Sequence, residues 1–304
     1  MLEVILHAAH DHSEAIRARR TVAPPHSRKH TRPARQYIPT TAPPSPTNDA
    51  HLLAAQPICR RRPCAMIYLD NAATSFPKAP GVVDATVHFM TEVGANAGRG
   101  SHRLAREASH RLFDVRERCA AFLGIQQPER LAFTKHATEA LNLVLMGQVP
   151  VGGTVVLSSL EHNAVMRPLR HLEETRGIRL IVVPFDACGR PDPSTLRESL
   201  ALRPDLFVLT AASNVTGCLP PLEEIAALCR KNNVPLCVDA SQAVGHVPIT
   251  VEDIDFLCFS GHKGLMGPMG TGGLYVAPSF HPAPLLRGGT GSLSESEHQP
   301  TFMP

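Results

Sequence analysis

A single lysine stands in a glycine-rich turn directly after an apolar run of the sequence. The run Phe256–Phe259 leads through Ser-Gly-His to Lys263, and a glycine follows. Upstream, the apolar run Pro235–Val238 ends on Asp239. An amine and a carboxylate at the ends of neighbouring strands are what a pyridoxal phosphate enzyme needs. The amine forms a Schiff base with the cofactor aldehyde, and the carboxylate keeps the pyridine nitrogen protonated so that the ring can act as an electron sink.

Further polar residues follow other apolar runs of the chain, and they are Thr138, His162, Asn214, Gln242, Ser260 and His262. Because open α/β sheets bind ligands at the carboxyl ends of their strands, we expect these residues at one edge of one sheet. Thr138 is expected to cap a helix whose free N–H groups cradle a phosphate, with Ser260 and His262 completing the shell. His162 is expected to stack on the ring and relay protons, and Gln242 to bond its phenolic oxygen.

The composition is that of a globular protein of 304 residues, 43% of them hydrophobic. Its net charge of +3 is unevenly placed. Residues 1–65 hold ten basic and four acidic residues, a net of +6, which leaves −3 on residues 66–304. The body of the chain therefore gives no reason to expect nucleic acid as a partner. No apolar run approaches the roughly 18 residues that cross a bilayer, so no membrane partner is expected.

The eight cysteines are scattered, and several fall in apolar patterns. They are predicted to be reduced thiols of a cytoplasmic protein rather than a disulfide framework. A zinc site made of His51, Cys59 and Cys64 is not expected, because the Cys-x4-Cys pair lacks a second half. No metal is predicted.

Residues 1–65 are predicted to be a disordered, basic, proline-rich extension. They contain nine of the 28 prolines and no sustained periodicity, so they cannot bury enough apolar surface to offset the entropy of ordering. Three interpretations remain: an organelle-targeting peptide, a nucleic-acid-binding arm, or an extension that results from a start codon assigned too early. The third is favoured, because Met66 stands directly before an apolar run, Ile67–Leu69, that is predicted to be the first ordered strand.

Residues 66–304 are predicted to form one α/β domain. Helical periodicity is present at about 100–123, 139–147, 163–176, 193–202 and 221–232. Short apolar strands are predicted at Leu131–Thr134, Thr154–Ser158, Leu180–Val183, Leu206–Thr210, Leu236–Asp239, Phe256–Phe259 and Gly273–Val276. Near-continuous Val, Leu and Ile strands that alternate with helices indicate a mostly parallel sheet covered on both faces.

Seven motifs occur in an order that resembles the cysteine desulfurase and selenocysteine lyase branch of the class V aminotransferase family, over roughly residues 66 to 302. They are Ile67–Thr74, Gly98–Leu104, Ala137–Asn142, Glu161–Pro168, Ser213–Gly217, Val238–Gln242 and Ser260–Lys263. The resemblance implies the fold-type I, aspartate aminotransferase-like architecture. This consists of a large domain with a mixed, mainly parallel seven-stranded sheet, a small C-terminal domain, and active sites at a homodimer interface.

The resemblance also implies a role for each matching residue. Lys263 would bind the cofactor aldehyde and take the substrate α-proton, with His162 stacked on the ring and assisting proton transfer. Asp239 would pair with the pyridine nitrogen and Gln242 with the phenolic oxygen. The remaining residues would hold the phosphate (Ala137, Thr138, Ser260, His262) or lie near the substrate (Ala73, His102, Asn214, Thr290). His136 departs from the family, where relatives often carry a small or amide residue.

The resemblance implies a reaction in which L-cysteine or L-selenocysteine gives L-alanine and passes its sulfur or selenium to an acceptor, as in iron–sulfur cluster assembly. In the family, a small domain after this point carries the sulfur-accepting cysteine and an arginine that grips the substrate carboxylate. The chain stops at Pro304, before these residues. We therefore expect a truncated protein that keeps the cofactor site and has little or no turnover.

Two other interpretations stay open. The first is another class V enzyme, such as an aminotransferase, an epimerase or a lyase, because one fold serves several reactions. The second is a non-catalytic remnant that still binds pyridoxal 5′-phosphate.

Overall fold

The computed structural model of the chain describes residues 66–98, 100–288 and 298. Its helices are α1 (Val82–His88), α2 (Arg103–Leu123), α3 (Ala137–Gln148), α4 (Asn163–Arg176), α5 (Pro193–Ala201) and α6 (Leu222–Asn232). A π-helical turn, Phe89–Val93, continues α1, and a 3₁₀ turn, Pro128–Arg130, precedes the first strand. The strands are β1 (Leu131–Thr134), β2 (Thr154–Ser158), β3 (Arg179–Val183), β4 (Leu206–Thr210), β5 (Leu236–Asp239), β6 (Phe256–Ser260) and β7 (Gly272–Val276).

The seven strands form one sheet in the order β1-β7-β6-β5-β4-β2-β3. The pairs β2–β3, β2–β4, β4–β5 and β5–β6 are parallel. Strand β7 runs antiparallel to both β1 and β6, so the other six strands all point the same way. The sheet is therefore mixed and mainly parallel, as the sequence predicted.

Both faces of the sheet are covered, and this explains why its strands read as continuous apolar runs. In β4, Phe207 and Leu209 belong to one core cluster, while Leu206 and Val208 belong to the other. The first cluster includes side chains of α2, α5 and α6, and the second includes side chains of α3 and α4. Successive residues of such a strand alternate between the two cores, so its central positions are all apolar.

Most predicted elements are confirmed, several of them with the predicted bounds, but two differences stand out. The strand predicted at Ile67–Leu69 is wrong. These residues form no strand, and Ile67 and Leu69 are 81% and 89% exposed, because no described strand pairs with them. Helix α1 and its π-helical extension were not predicted.

The predicted disordered extension, residues 1–65, lies outside the described residues. Within the described part of the chain, no helix combines the length and the apolar character needed to cross a bilayer.

Candidate active site

The candidate site lies where the six codirectional strands end. Asp239 is the last residue of β5, where it is in register with Thr210 of β4 and Cys258 of β6. Ser260 ends β6, and the turn that carries Lys263 follows directly. The sheet therefore brings together polar residues that are far apart in sequence, at the edge where ligands bind in such folds.

The turn that carries Lys263 is closed by its own backbone. The Gly267 N–H donates to the Gly261 carbonyl at 2.7 Å, and the Met266 N–H donates to the Lys263 carbonyl at 2.8 Å. The Gly261 N–H in turn donates to the Thr271 carbonyl at 2.8 Å. These bonds leave the lysine main chain little freedom.

The turn also packs against the turn that follows Asp239, and glycine makes this packing possible. A Cβ atom on Gly245 would lie 2.5 Å from the Gly264 carbonyl oxygen and 2.8 Å from the Leu265 nitrogen. Gly245 has φ +85°, a conformation that residues with a side chain rarely adopt. The two backbones are in direct contact, and this contact sets the distance between the segments that carry Asp239 and Lys263.

Three residues near the start of the described chain hold the same turn through the His262 carbonyl. It accepts hydrogen bonds from the Ser75 N–H (2.9 Å), the Thr74 hydroxyl (3.0 Å) and the Ser75 hydroxyl (3.1 Å). The Lys78 amine lies 3.0 Å from the Thr74 Oγ1 and 3.5 Å from the same carbonyl. Burial lowers the pKa of Lys78.

Asp239 and Lys263 interact electrostatically across this edge. Asp239 is only 3% exposed, and its Oδ1 accepts from the Ser241 N–H at 3.0 Å and the Ser241 hydroxyl at 2.5 Å. Burial lowers the pKa of Lys263, and the Asp239 carboxylate partly offsets this. A larger share of the lysine is therefore the neutral amine, which is the nucleophilic form.

The start of α3 offers hydrogen-bond donors beside Ser260. The Ala137 N–H donates to the Ser260 hydroxyl oxygen at 3.0 Å, which leaves the hydroxyl proton for another partner. The predicted helix cap at Thr138 is wrong. The cap is His136, whose Nδ1 accepts from the Glu139 N–H at 3.1 Å. Within the described residues the exposed Thr138 has no partner for its N–H or hydroxyl, so both can bind a ligand.

His262 completes this set of donors. Its Nδ1 is buried and has no hydrogen-bond partner in the described part of the chain. Its pKa is lowered first by burial and then by the nearby charges of Lys263, Lys78 and His136. An unpartnered ring nitrogen, a helix N-terminus and a group of cations are together the donor set that suits a phosphate. The residues present therefore fit the phosphate of the predicted cofactor.

His162 lies at the first turn of α4, beyond the end of β2. Its Nδ1 accepts from the Ala164 N–H at 3.0 Å and caps the helix. This bond fixes the ring and assigns the proton of the neutral imidazole to Nε2. His162 is exposed at this edge, so Nε2 can reach a ligand.

Of the other predicted residues, Gln242 has a hydrogen bond that connects it to a second segment at this edge of the sheet, and Asn214 has none. Gln242 donates to the Ala72 carbonyl at 2.8 Å, and this bond brings the exposed Ala73 to the site. Asn214 lies after β4, in a turn closed by the Gly217 N–H and the Ser213 carbonyl at 3.0 Å. Its exposed side chain makes no hydrogen bond within the described chain.

Two of the predicted substrate residues are not brought into the site by any described contact. His102 caps α2, where its Nδ1 accepts from the Ala105 N–H at 3.4 Å. Thr290 lies outside the described residues.

No group of three or more metal-ligating side chains occurs in the part of the chain that the structure describes.

Sequence reasoning missed two residues at this edge, Lys78 and Glu161. The Oε1 of Glu161 accepts from the Ser158 hydroxyl at 2.5 Å and the Thr210 N–H at 2.7 Å. Burial, with a smaller contribution from the charge of Asp239, raises its pKa to about 8. Their positions in the sequence could have indicated them, because Glu161 directly precedes the predicted site residue His162, and Lys78 closely follows the motif Ile67–Thr74.

Comparison with known proteins agrees with this architecture. Residues 67–302 match the family model described as aminotransferase class V. A probable cysteine desulfurase of Methanothermobacter thermautotrophicus is 35% identical over 236 residues, and a cysteine desulfurase of Enterobacter sp. (strain 638) is 39% identical over 217 residues. The solved apo structure of a cysteine desulfurase from Thermococcus onnurineus NA1 superimposes with a TM-score of 0.69 at 34% identity. The chain belongs to the class V aminotransferase family, in its cysteine desulfurase-like group, whose members are pyridoxal phosphate-dependent enzymes.

The chain spans little more than half the length of these relatives. The matches cover 76% and 69% of this chain but 58% and 53% of the two curated relatives. The structural match covers 73% of this chain and 57% of the Thermococcus onnurineus chain.

The contact between Gly245 and Gly264 generates a prediction about stability. Gly245→Ala should lower the free energy of unfolding by about 3 kcal/mol or more, because a left-handed alanine costs roughly 1–2 kcal/mol and the overlap with backbone adds more. Gly270→Ala is the matched control, since Gly270 has φ +83° but open space around its Cβ position, and it should cost only the first amount. Urea unfolding of both variants measures the difference. Equal losses would show that the close approach of Gly245 and Gly264 does not limit the size of the residue at position 245.

Proposed function

We propose that this chain binds pyridoxal 5′-phosphate covalently through Lys263. The observation that carries the proposal is the pairing of a partly desolvated lysine with a buried carboxylate, beside a set of unpaired phosphate donors. When bound, the cofactor would supply an electron sink for the α-carbon of an amino acid substrate.

Different residues of the chain would bind different parts of the cofactor. Thr138, Ser260 and His262 would hold the phosphate, with the Ala137 backbone beside them. Asp239, fixed by Ser241, would face the pyridine nitrogen and keep it protonated. This role suits a carboxylate that two local hydrogen bonds hold in place.

The residues that face the substrate follow from the same geometry. The Lys263 amine, with its lowered pKa, would also accept the substrate α-proton. His162 would lie against the ring and hold a proton on Nε2. Gln242 would use the N–H that Ala72 leaves free to bond the phenolic oxygen. Ala73, Asn214, His102 and Thr290 are proposed to line the substrate entrance.

The proposed substrate is L-cysteine, from the activity that the relatives' names state. The balanced reaction breaks the Cβ–S bond of cysteine and joins its sulfur to an acceptor thiol, so that cysteine and RSH give alanine and RSSH. The acceptor must be a thiolate, because the thiolate is the nucleophile.

We also propose that the 304-residue chain alone turns over cysteine slowly. Burial raises the pKa of Cys119 and Cys229 to about 12 and that of Cys258 well above its ordinary value, and Cys237 is buried beside Cys258. Four of the six cysteines that the structure describes are thus unsuited to accept sulfur.

The assembly and location of the protein are proposals too. A homodimer is supported by apolar side chains that the described chain leaves exposed near its start, among them Ile67, Leu69 and Met90. A separate sulfur-acceptor protein, a role in iron–sulfur cluster assembly and a cytoplasmic location follow from the same family assignment. The free thiols of all six described cysteines agree with a reducing compartment.

Cofactor binding is tested by adding pyridoxal 5′-phosphate to the purified apoprotein. The wild-type chain should gain a visible absorbance band, and borohydride reduction followed by peptide mass spectrometry should locate the adduct on Lys263. Lys263→Ala should show neither signal. Lys231→Ala, which removes an exposed amine from α6, should behave as the wild type. An adduct spread over several lysines, or a folded wild type that stays colourless, would refute the proposal.

Turnover is tested by incubating the cofactor-loaded chain with L-cysteine and measuring alanine. Release without an added thiol should be slow, and dithiothreitol should accelerate it about tenfold or more, because it supplies an accessible thiolate. Lys263→Ala should release none under either condition. Rapid, repeated alanine release without an added thiol would show that the chain carries its own competent acceptor.

A further inference from the structure

Glu161 is a half-buried residue at the candidate site whose carboxyl oxygen Oε2 is buried, and the proposed function assigns it no role. It follows β2 by three residues and directly precedes His162. One carboxyl oxygen, Oε1, accepts the Ser158 hydroxyl of β2 at 2.5 Å and the Thr210 N–H of β4 at 2.7 Å. The other, Oε2, is buried and has no hydrogen-bond partner among the described residues.

These contacts connect Glu161 to two residues of the site. Thr210, which donates to Glu161, is in register with Asp239 on the neighbouring strand. His162 is the next residue of the chain and caps α4 with its own ring. The Glu161 side chain therefore ties the carboxyl ends of β2 and β4 together, at the point from which His162 and Asp239 are presented.

We propose that Glu161 is a positioning residue that works as an uncharged carboxylic acid: it joins β2 to β4 and keeps a second negative charge away from Asp239. An ionised Oε2 would be a buried charge without a donor, which is costly. An ionised Glu161 would also repel the carboxylate of Asp239, the group proposed to hold the pyridine nitrogen.

The charges around Glu161 support this assignment. Asp239 on β5 is the charged group that acts on it, and Lys263, after β6, acts on Asp239 in turn. In the segment between β2 and α4 the neighbouring ionisable residue is His162, and the contacts from β2 and β4 are the uncharged Ser158 and Thr210. Together with burial, the proximity of Asp239 raises the pKa of Glu161 from its ordinary 4.5 to about 8.

The sign of the pH dependence follows from linkage. An acid whose pKa is higher in the folded state stabilises the fold fully below its unfolded pKa, and this contribution is lost as pH rises to the folded pKa. The window for Glu161 runs from about 4.5 to about 8. Glutamine resembles the protonated acid and does not titrate, so Glu161→Gln removes this loss.

The first test compares the thermal stability of the apoprotein between pH 5 and 9. The wild-type Tm should fall relative to that of Glu161→Gln by roughly 5 °C or more up to pH 8 and then level off. Asp239→Asn should move this transition to lower pH, because it removes a charge that disfavours ionisation. Glu174→Gln, at an exposed position of α4, should track the wild type. A constant Tm difference between wild type and Glu161→Gln would overturn the proposal.

A second variant covers the case in which Glu161→Gln does not fold. The hydroxyl of Ser158 favours the ionised form of Glu161, so Ser158→Ala should move the transition of the apoprotein to higher pH. A transition that stays in place would overturn the assignment.

The last test rests on the proposed function, and its result is interpreted independently of the two stability tests. In the cofactor-loaded wild type, the visible spectrum should change near pH 8, and in Glu161→Gln this change should be absent. Glu161→Asp, one methylene too short to reach both partners, should not restore wild-type cofactor affinity at pH 6, whereas Glu161→Gln should keep it. If no variant binds the cofactor, the proposed function fails while the stability profiles still decide the role of Glu161. If all bind it and the spectral profiles coincide, the positioning role is overturned.

Discussion

The direct contact between two glycine backbones is the constraint on which the site depends. Gly245 belongs to the turn that follows β5, and Gly264 to the turn that follows β6. No side chain fits between them, so the segment of Asp239 and the segment of Lys263 stay at one fixed separation. The Thr74 and Ser75 bonds to the His262 carbonyl then hold the lysine turn from its other side. The site is rigid because several segments, distant in sequence, converge on one turn.

Charge explains why this edge suits an anionic ligand. Lys263, Lys78 and His262 lie together, and burial lowers the pKa of each. Asp239 faces this group, and the start of α3 adds unpaired donors. A phosphate would relieve the mutual repulsion of the cations and use the unpartnered nitrogen of His262. An uncharged Glu161 agrees with this distribution of charge, since it does not repel the carboxylate of Asp239.

The sheet could be predicted from the sequence because most of its strands are buried on both faces, so that continuous apolar runs mark them in the sequence. Strands β1, β2, β4 and β5 have the bounds that the sequence predicted. The run at Ile67–Leu69 has the same composition and forms no strand, because pairing depends on a neighbour that composition does not report. Helix α1 was missed because seven residues provide fewer than two full periods of an amphipathic pattern.

The candidate site was predictable to the extent that its residues follow strand ends. Lys263, Asp239 and Ser260 do so, and the topology places them together without knowledge of side-chain contacts. Glu161 and Lys78 act through bonds to residues 49 and 184 positions away, Thr210 and His262, and no local pattern indicates such bonds. His136 was overlooked as a helix cap because its ring nitrogen does the work that the preferred Ser, Thr, Asp or Asn would do.

The central claim is that Asp239 and Lys263 act on opposite parts of one bound cofactor. A crystal structure of the chain grown with pyridoxal 5′-phosphate tests this most directly. The account predicts continuous density from the Lys263 Nζ to the cofactor, the ring nitrogen within hydrogen-bond distance of the Asp239 carboxylate, and the phosphate against Thr138, Ser260 and His262. Density for the cofactor elsewhere, or a ring nitrogen turned away from Asp239, would contradict it.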